Sequence, residues 1–292
     1  MGFTGTEPGM RTRGEAFVRF RKRLFANPMV FVSFLILVGF ILIAAFAPVI
    51  TPFDPLRGEL RMRLVPPSGE HLLGTDHQGR DMLSRVIAGS RVALLVGFVA
   101  VGIGLVVGGL LGILAGFFGG WLDVVIMRAM DIILAFPWLL LVIAVVSILG
   151  PSLTNAMLAI GITFIPQYAR LLRSVVLSTR EQDFVQAARA LGASTPRVLA
   201  LHVAPFTVAQ TIVLTTISLG KAILAEAGLS FLGLGVQPPT PSWGTMIAVG
   251  QDYLMSHPYL SIVPGLTVMI VVIALNLFGD GLRDALDPKR AH

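Results

Sequence analysis

Residues 92–122 read Val-Ala-Leu-Leu-Val-Gly-Phe-Val-Ala-Val-Gly-Ile-Gly-Leu-Val-Val-Gly-Gly-Leu-Leu-Gly-Ile-Leu-Ala-Gly-Phe-Phe-Gly-Gly-Trp-Leu, without one Asp, Glu, Lys or Arg. A helix rises ~1.5 Å per residue, so about 20 such residues cross the ~30 Å hydrocarbon layer of a bilayer. A charge at mid-bilayer costs ~2.5–3.5 kcal/mol on insertion scales, so an uncharged run of this length reads as a spanning helix. Working outward, the same test marks 29–50 on the N-terminal side. On the C-terminal side it marks 132–149 and 153–172, divided by the turn signal Gly150-Pro151-Ser152. Val198–Ala225, past a single Lys221, and Tyr253–Gly279 complete the set. The stretch Gln237–Gly244 is apolar but too rich in proline to span. The expectation is an all-α integral membrane protein with six transmembrane helices.

Composition agrees. Of 292 residues, 55% are hydrophobic and only 13% charged, and the mean hydropathy is +0.83. An ordinary cytosolic enzyme or a disordered chain needs far more polar surface. The absence of cysteine excludes disulfides, thiolate zinc sites and thiol catalysis. The net charge of +6 would suit a nucleic-acid partner, but the basic residues follow membrane sidedness instead. Arg11, Arg13, Arg19, Arg21, Lys22 and Arg23 precede the first span. Arg170, Arg173, Arg180, Arg189 and Arg197 lie between the fourth and fifth, and Arg283, Lys289 and Arg290 follow the sixth. Six spans put all three groups on one side, which the positive-inside rule makes cytoplasmic.

The organisation expected is a cytoplasmic basic tail over 1–28, a first span over 29–50 and an extracytoplasmic loop over 51–91. A core of five helices follows over 92–279, then a cytoplasmic tail over 280–292. The loop fits the rule poorly, since it carries Arg57, Arg61, Arg63, Arg80, Arg85 and Arg91 among five carboxylates. Ala45-Phe46-Ala47 looks like a signal-peptidase site, but the long basic leader and apolar run favour an uncleaved anchor.

Ala100, Gly104, Gly108, Gly112, Gly116 and Gly120 recur at every fourth position, a ridge without side-chain bulk. In lipid such ridges let helix backbones approach closely, so the ladder reads as a helix-packing face of unassigned partner. Arg128 and Asp131 stand three apart and can pair; Glu226 falls near the outer end of the fifth span, where snorkelling and pairing explain it. No catalytic motif is present. Gly228-Leu229-Ser230-Phe231-Leu232-Gly233 is one residue too long for a nucleophile elbow, and Gly220-Lys221 lacks the rest of a P-loop. No His pair has metal-ligand spacing; His71 and His77 read as residents of a solvated loop.

The segment between the fourth and fifth spans reads Glu181-Gln182-Asp183-Phe184-Val185-Gln186-Ala187-Ala188-Arg189-Ala190-Leu191-Gly192-Ala193-Ser194-Thr195-Pro196-Arg197. Glu181 and Asp183 suit a first helical turn, and Gly192 can take the left-handed conformation that ends a helix. Phe184, Ala188 and Leu191 share a face, and Thr195 is expected to cap a second helix beginning at Pro196. A short helix presented between two spans is suited to dock in a partner's groove.

Gln186-Ala187-Ala188, three residues, Gly192, nine residues and His202-Val203-Ala204-Pro205 resemble the EAA signature of ABC importer permeases, with Gln, His and Ala in place of its Glu, Ile and Leu. Leu73-Gly74-Thr75-Asp76-His77-Gln78-Gly79-Arg80-Asp81-Met82-Leu83-Ser84-Arg85 is similar to the outer-loop signature of the dipeptide/oligopeptide/nickel permease family. So are Ala135-Phe136-Pro137, Arg180–Asp183, Ala187–Ala193, Ala222–Gly244 and Asn276–Pro288, in collinear order over residues 20–288. Within that family the chain looks like the C-type permease subunit.

The resemblance implies a type I ABC importer permease fold and half of a translocation pathway for peptides, nickel or another small solute. It implies a heterodimer with a homologous B-type permease, two separate ATPase subunits that bind ATP and Mg, and an extracytoplasmic solute-binding protein. No cofactor is expected on this chain, no nucleic acid partner, and the bacterial inner membrane as location with both termini inside. Coupling to the ATPases is carried over to Asp183, Gln186, Ala187, Ala188, Arg189 and Gly192, and close helix packing is assigned to Gly104, Gly108, Gly112 and Gly116.

Overall fold

The computed structural model describes residues 20–286. Most of the tail expected over 1–28 and the last residues of that over 280–292 lie outside the described residues. Among the described residues nine helices build the fold. They are α1 (Pro28–Ile50), α2 (Met82–Phe118), α3 (Gly120–Leu134), α4 (Trp138–Leu149), α5 (Leu153–Arg180), α6 (Asp183–Ala190), α7 (Thr195–Phe231), α8 (Trp243–Gln251) and α9 (Tyr259–Leu286).

Four of them, α1, α2, α7 and α9, are long and apolar enough to cross a membrane. The run 132–149 is not one straight span: α3 and α4 meet at a break with an 87° bend. Pro137 explains the break, since it has no N–H to donate and disfavours helix at Phe136. Counting the bent pair as one crossing raises the total to five. The remaining long helix, α5, carries Arg170, Arg173 and Arg180 in its second half, and twelve of its residues are buried.

Helix α1 shows how apolarity is divided. Val30, Ser33, Leu37, Phe40, Ala44 and Ala47 are buried, three or four residues apart, in a single stripe. Phe31, Leu35, Ile41, Leu42, Phe46 and Val49 are exposed. A helix apolar on every face with one packed stripe is built for lipid on the rest. Asn27 opens it by accepting the Met29 N–H at 2.9 Å, with Pro28 in the first turn.

Two apolar clusters share α2 and α7. One joins them to α4 and α5 through Val96, Val146, Ile160 and Leu229. The other joins them to α1, α8 and α9 through Phe40, Ile223, Trp243 and Val271. Helices α2 and α5 run parallel, and α7 returns antiparallel between them and α9. The Tyr168 and Thr215 hydroxyls, 3.0 Å apart, stitch α5 to α7.

The glycine ladder of α2 faces α5. A Cβ on Gly108 would collide with the Ile165 carbonyl oxygen, one on Gly112 with that of Ala169, and one on Gly104 with the Phe164 Cβ. At Gly116 the obstacle would be the Arg173 carbonyl at 2.9 Å. Gly120 lies beyond the end of α2, where Gly119 and Gly120 turn the chain at φ 67 and 60. Between Gly104 and Gly108 the helix widens into a π turn. A second π turn, Leu199–Val203 in α7, directly precedes Ala204-Pro205. Proline 205 gives no N–H and crowds the preceding turn, and the wider turn accommodates both defects.

Helix α2 starts ten residues earlier than expected, because Asp81 caps it. Its carboxylate accepts the Ser84 N–H at 2.8 Å and the Ser84 hydroxyl at 2.7 Å. The last helix runs on to Leu286 rather than ending near 279. Glu226 is not a snorkelling interface residue: it is 1% exposed and accepts the Ser230 hydroxyl at 2.6 Å.

Candidate functional site

Helix α6 and the turn behind it form a platform at one end of the bundle. Asp183 occupies the first turn and Arg189 the last, signs that complement the helix dipole. Gly192 has φ 83, and the Ala193 N–H reaches back to the Ala188 carbonyl at 3.1 Å, a left-handed stop that any side chain would strain. The next helix starts at Thr195 with Ser194 as its N-cap, one residue before the expected cap, and Ser194 makes no side-chain capping bond.

The platform is anchored by Val185, fully buried with Val176, Val198 and Val203 against Ile113 and Phe117 at the end of α2. Phe184, Ala188 and Leu191 are not its anchoring face. Phe184 is 41% exposed and stacks on Phe206 at 5.3 Å, while Leu191 is 89% exposed. Gln186 and Ala187 are exposed and Ala188 is half-buried. The Arg189 guanidinium covers the Phe117 ring. Arg180 donates to the Gly116 and Phe117 carbonyls at 2.8 and 3.3 Å, tying the end of α5 to the end of α2. Beside it, Arg173 holds Asp123 of α3 through two bonds of 2.5 and 2.6 Å. Asp131 is met by Arg170 at 2.7 Å, closer than by Arg128 at 3.9 Å.

Sequence reasoning missed Val185, Val198 and Arg180. The signal for Val185 was present: it is the one branched aliphatic residue in the short polar helix α6.

At the opposite end, residues 51–81 form an ordered cap rather than a solvated loop. Asp76 accepts the backbone N–H groups of Gln78 and Arg80 at 2.8 and 3.0 Å and the Arg80 Nε at 2.7 Å. Arg85 Nε lies 3.5 Å from the same carboxylate, and its Nη1 donates to the Pro55 carbonyl at 2.8 Å. His71 Nδ1 is 2.9 Å from Asp81. The Thr75 hydroxyl donates to the Met62 carbonyl and accepts the Val65 N–H. Tyr259 of α9 closes the cap on the Val65 and Thr75 carbonyls at 3.1 and 3.0 Å. Two of the arginines that sat oddly in an outer loop are thus buried against carboxylate. The His77 ring stacks on Tyr253, and burial pushes its pKa below the ordinary 6.5. Among the described residues no group of three metal-ligating side chains exists. The proline-rich stretch leads into α8, whose Ser242 and Thr245 form a capping box and whose Trp243 donates to the Val86 carbonyl at 3.0 Å.

Comparison with known proteins places this architecture. Residues 108–292 match the family of binding-protein-dependent transport system inner membrane components. Residues 16–67 match the N-terminal transmembrane domain of oligopeptide transport permease C. The dipeptide transport system permease protein DppC of Alkalihalophilus pseudofirmus is 46% identical over 94% of this chain and 89% of its own length. The di/tripeptide transport system permease protein DppC of Pseudomonas aeruginosa is 50% identical over 84% of this chain and 83% of its own. Among solved structures, an inward-facing MetNI methionine ABC transporter chain superposes with a TM-score of 0.57 at 19% identity, covering 70% of this chain and 98% of that one, which shows the fold. The chain has the type I importer permease fold and is a multi-pass inner-membrane protein, a non-catalytic permease subunit of a membrane-embedded complex. It belongs to the family of binding-protein-dependent transport system inner membrane components.

Proposed function

We propose that this chain is the C-type half of a peptide importer, paired with a homologous B-type permease, and that α6 is the lever through which two ATPase subunits drive it. The observation that carries the reading is the form of α6. It is a short, exposed helix, closed by Gly192 at φ 83 and pinned through Val185 to the ends of α2, α5 and α7. A partner gripping Gln186, Ala187 and Ala188 displaces those three helices together. The small side chains at 187 and 188 favour close seating in a groove. ATP and Mg would reside on the ATPases, whose different affinities for two docked states would bias a two-state bundle.

In this reading the α6 end and both termini face the cytoplasm, while the 51–81 cap and α8 face the binding protein. Dipeptides and short peptides are the solutes, by analogy with the relatives named above. The test uses the complete importer in vesicles with its binding protein and dipeptide. Ala188→Glu should abolish dipeptide-stimulated ATP hydrolysis while all subunits still co-purify. Stimulation at the unaltered level would refute the lever. A reporter fused at Ser194 should read inside and one at Ser242 outside.

A further inference from the structure

Lys221 stands in an apolar span, and among the described residues nothing neutralises it. From Thr216 to Ser230, ten positions of α7 are buried. Lys221 and Leu224 are the two exposed ones. No described residue gives Lys221 a hydrogen bond or ion pair. Glu226, five residues on, points to another side of the helix and is taken by Ser230. An unpaired ammonium facing hydrocarbon is expensive, so intramembrane cations face protein or a watered cavity.

The surroundings favour the cavity. Lys221 shares a pocket with Trp138, Thr163, Phe164 and Gln167. Counting ~1.5 Å per residue, Lys221 lies roughly 15 Å below the end of α7 and Gln167 roughly 21 Å below the start of α5, near the middle of a ~30 Å layer. Continuing from Gln167 along the same face of α5 come Arg170 and Ser174, both exposed. The α3–α4 break at 135–137 opens beside Trp138. Irregular backbone within a membrane is tolerated where protein buries it or it lines water. The same face therefore holds a free cation, an amide, an ion pair and a broken helix.

We propose that Lys221 is a substrate-contacting residue whose ammonium receives the C-terminal carboxylate of the peptide in transit, with Gln167 as a neighbouring hydrogen-bonding group. This rests on the peptide-importer reading above. A carboxylate is what every unmodified peptide carries whatever its side chains, so one lysine serves without imposing sequence preference.

The chain has no cysteine, so Lys221→Cys gives it a single thiol. In the assembled importer, this variant should take up dipeptide at least about thirtyfold more slowly, the loss expected when one partner of a buried charged pair is removed. Aminoethyl methanethiosulfonate, which restores a cation, should recover uptake; sulfonatoethyl methanethiosulfonate should not. Dipeptide with binding protein should slow labelling by the anionic reagent. Lys221→Arg should retain most uptake, and Phe98→Cys, on an exposed apolar face, should resist labelling. Three results overturn the proposal: no labelling at position 221 in an intact complex, equal uptake after either reagent, or loss of the partner permease on purification of Lys221→Met. The last would assign the lysine to a carboxylate of the partner chain. If the unaltered complex takes up no dipeptide, the peptide reading itself fails, a distinct outcome.

Discussion

The Arg189 guanidinium lies 5.0 Å from the centre of the Phe117 ring, which joins the last turn of α6 to the last turn of α2. The contact is at the surface, where such pairs contribute about 0.5–1 kcal/mol. Arg189→Ala and Phe117→Ala should each lower dipeptide-stimulated ATP hydrolysis about two- to fivefold, the factor that energy corresponds to. The double variant should be no worse than the poorer single one. Additive losses in a double-mutant cycle would mean that the two side chains act separately.

Gly112 and Gly102 make a matched pair. A methyl on Gly112 would overlap the Ala169 carbonyl, whereas one on Gly102 meets nothing within 4 Å. Gly112→Ala should destabilise by about 1–3 kcal/mol, the range for overpacking, while Gly102→Ala should be neutral or slightly stabilising. Thermal unfolding of the purified complex in detergent checks both.

Asp76 neutralises two buried arginines, and its carboxylate also closes a backbone turn. Asp76→Asn keeps the shape and removes the charge. Leaving buried guanidinium uncompensated costs about 3–5 kcal/mol. In the purified complex the cap should then become protease-sensitive, with cleavage in 51–81 read by mass spectrometry.

His77 gives the cap a pH dependence. Burial is the main cause of its lowered pKa, and the neighbouring arginines add to it against the pull of Asp76. A histidine whose folded pKa is depressed contributes stability that is complete above the unfolded value near 6.5 and is lost as pH falls through the folded value. Proteolysis of the cap in the purified complex should therefore rise as the pH drops below about 6.5, and His77→Gln should flatten that rise.

Much of this was legible in the residues. Uncharged runs marked α1, α2, α7 and α9, and Gly150-Pro151-Ser152 marked the turn before α5. The Gly192 stop stood out because few residues tolerate positive φ. The run 132–149, one straight span by hydropathy, is a pair of helices bent by 87° at a break that Pro137 explains and hydropathy alone does not register. The cap was misread because its polar residues satisfy one another: Asp76, Arg80, Arg85, His71 and Asp81 look solvated in sequence and are buried in space. The partner of the glycine ladder was illegible, since spacing defines a face and not what lies across from it. Lys221 was noticed as the single charge in its span, but only its pocket gives it neighbours.

Where Gly108 and Gly112 rest on the carbonyls of Ile165 and Ala169, no layer of side chains remains to be sheared. Helices α2 and α5 then travel as one stave. Any passage that opens and shuts must draw its play from looser seams, such as the elbow at Pro137 or the hydroxyl-stitched joint of Tyr168 with Thr215.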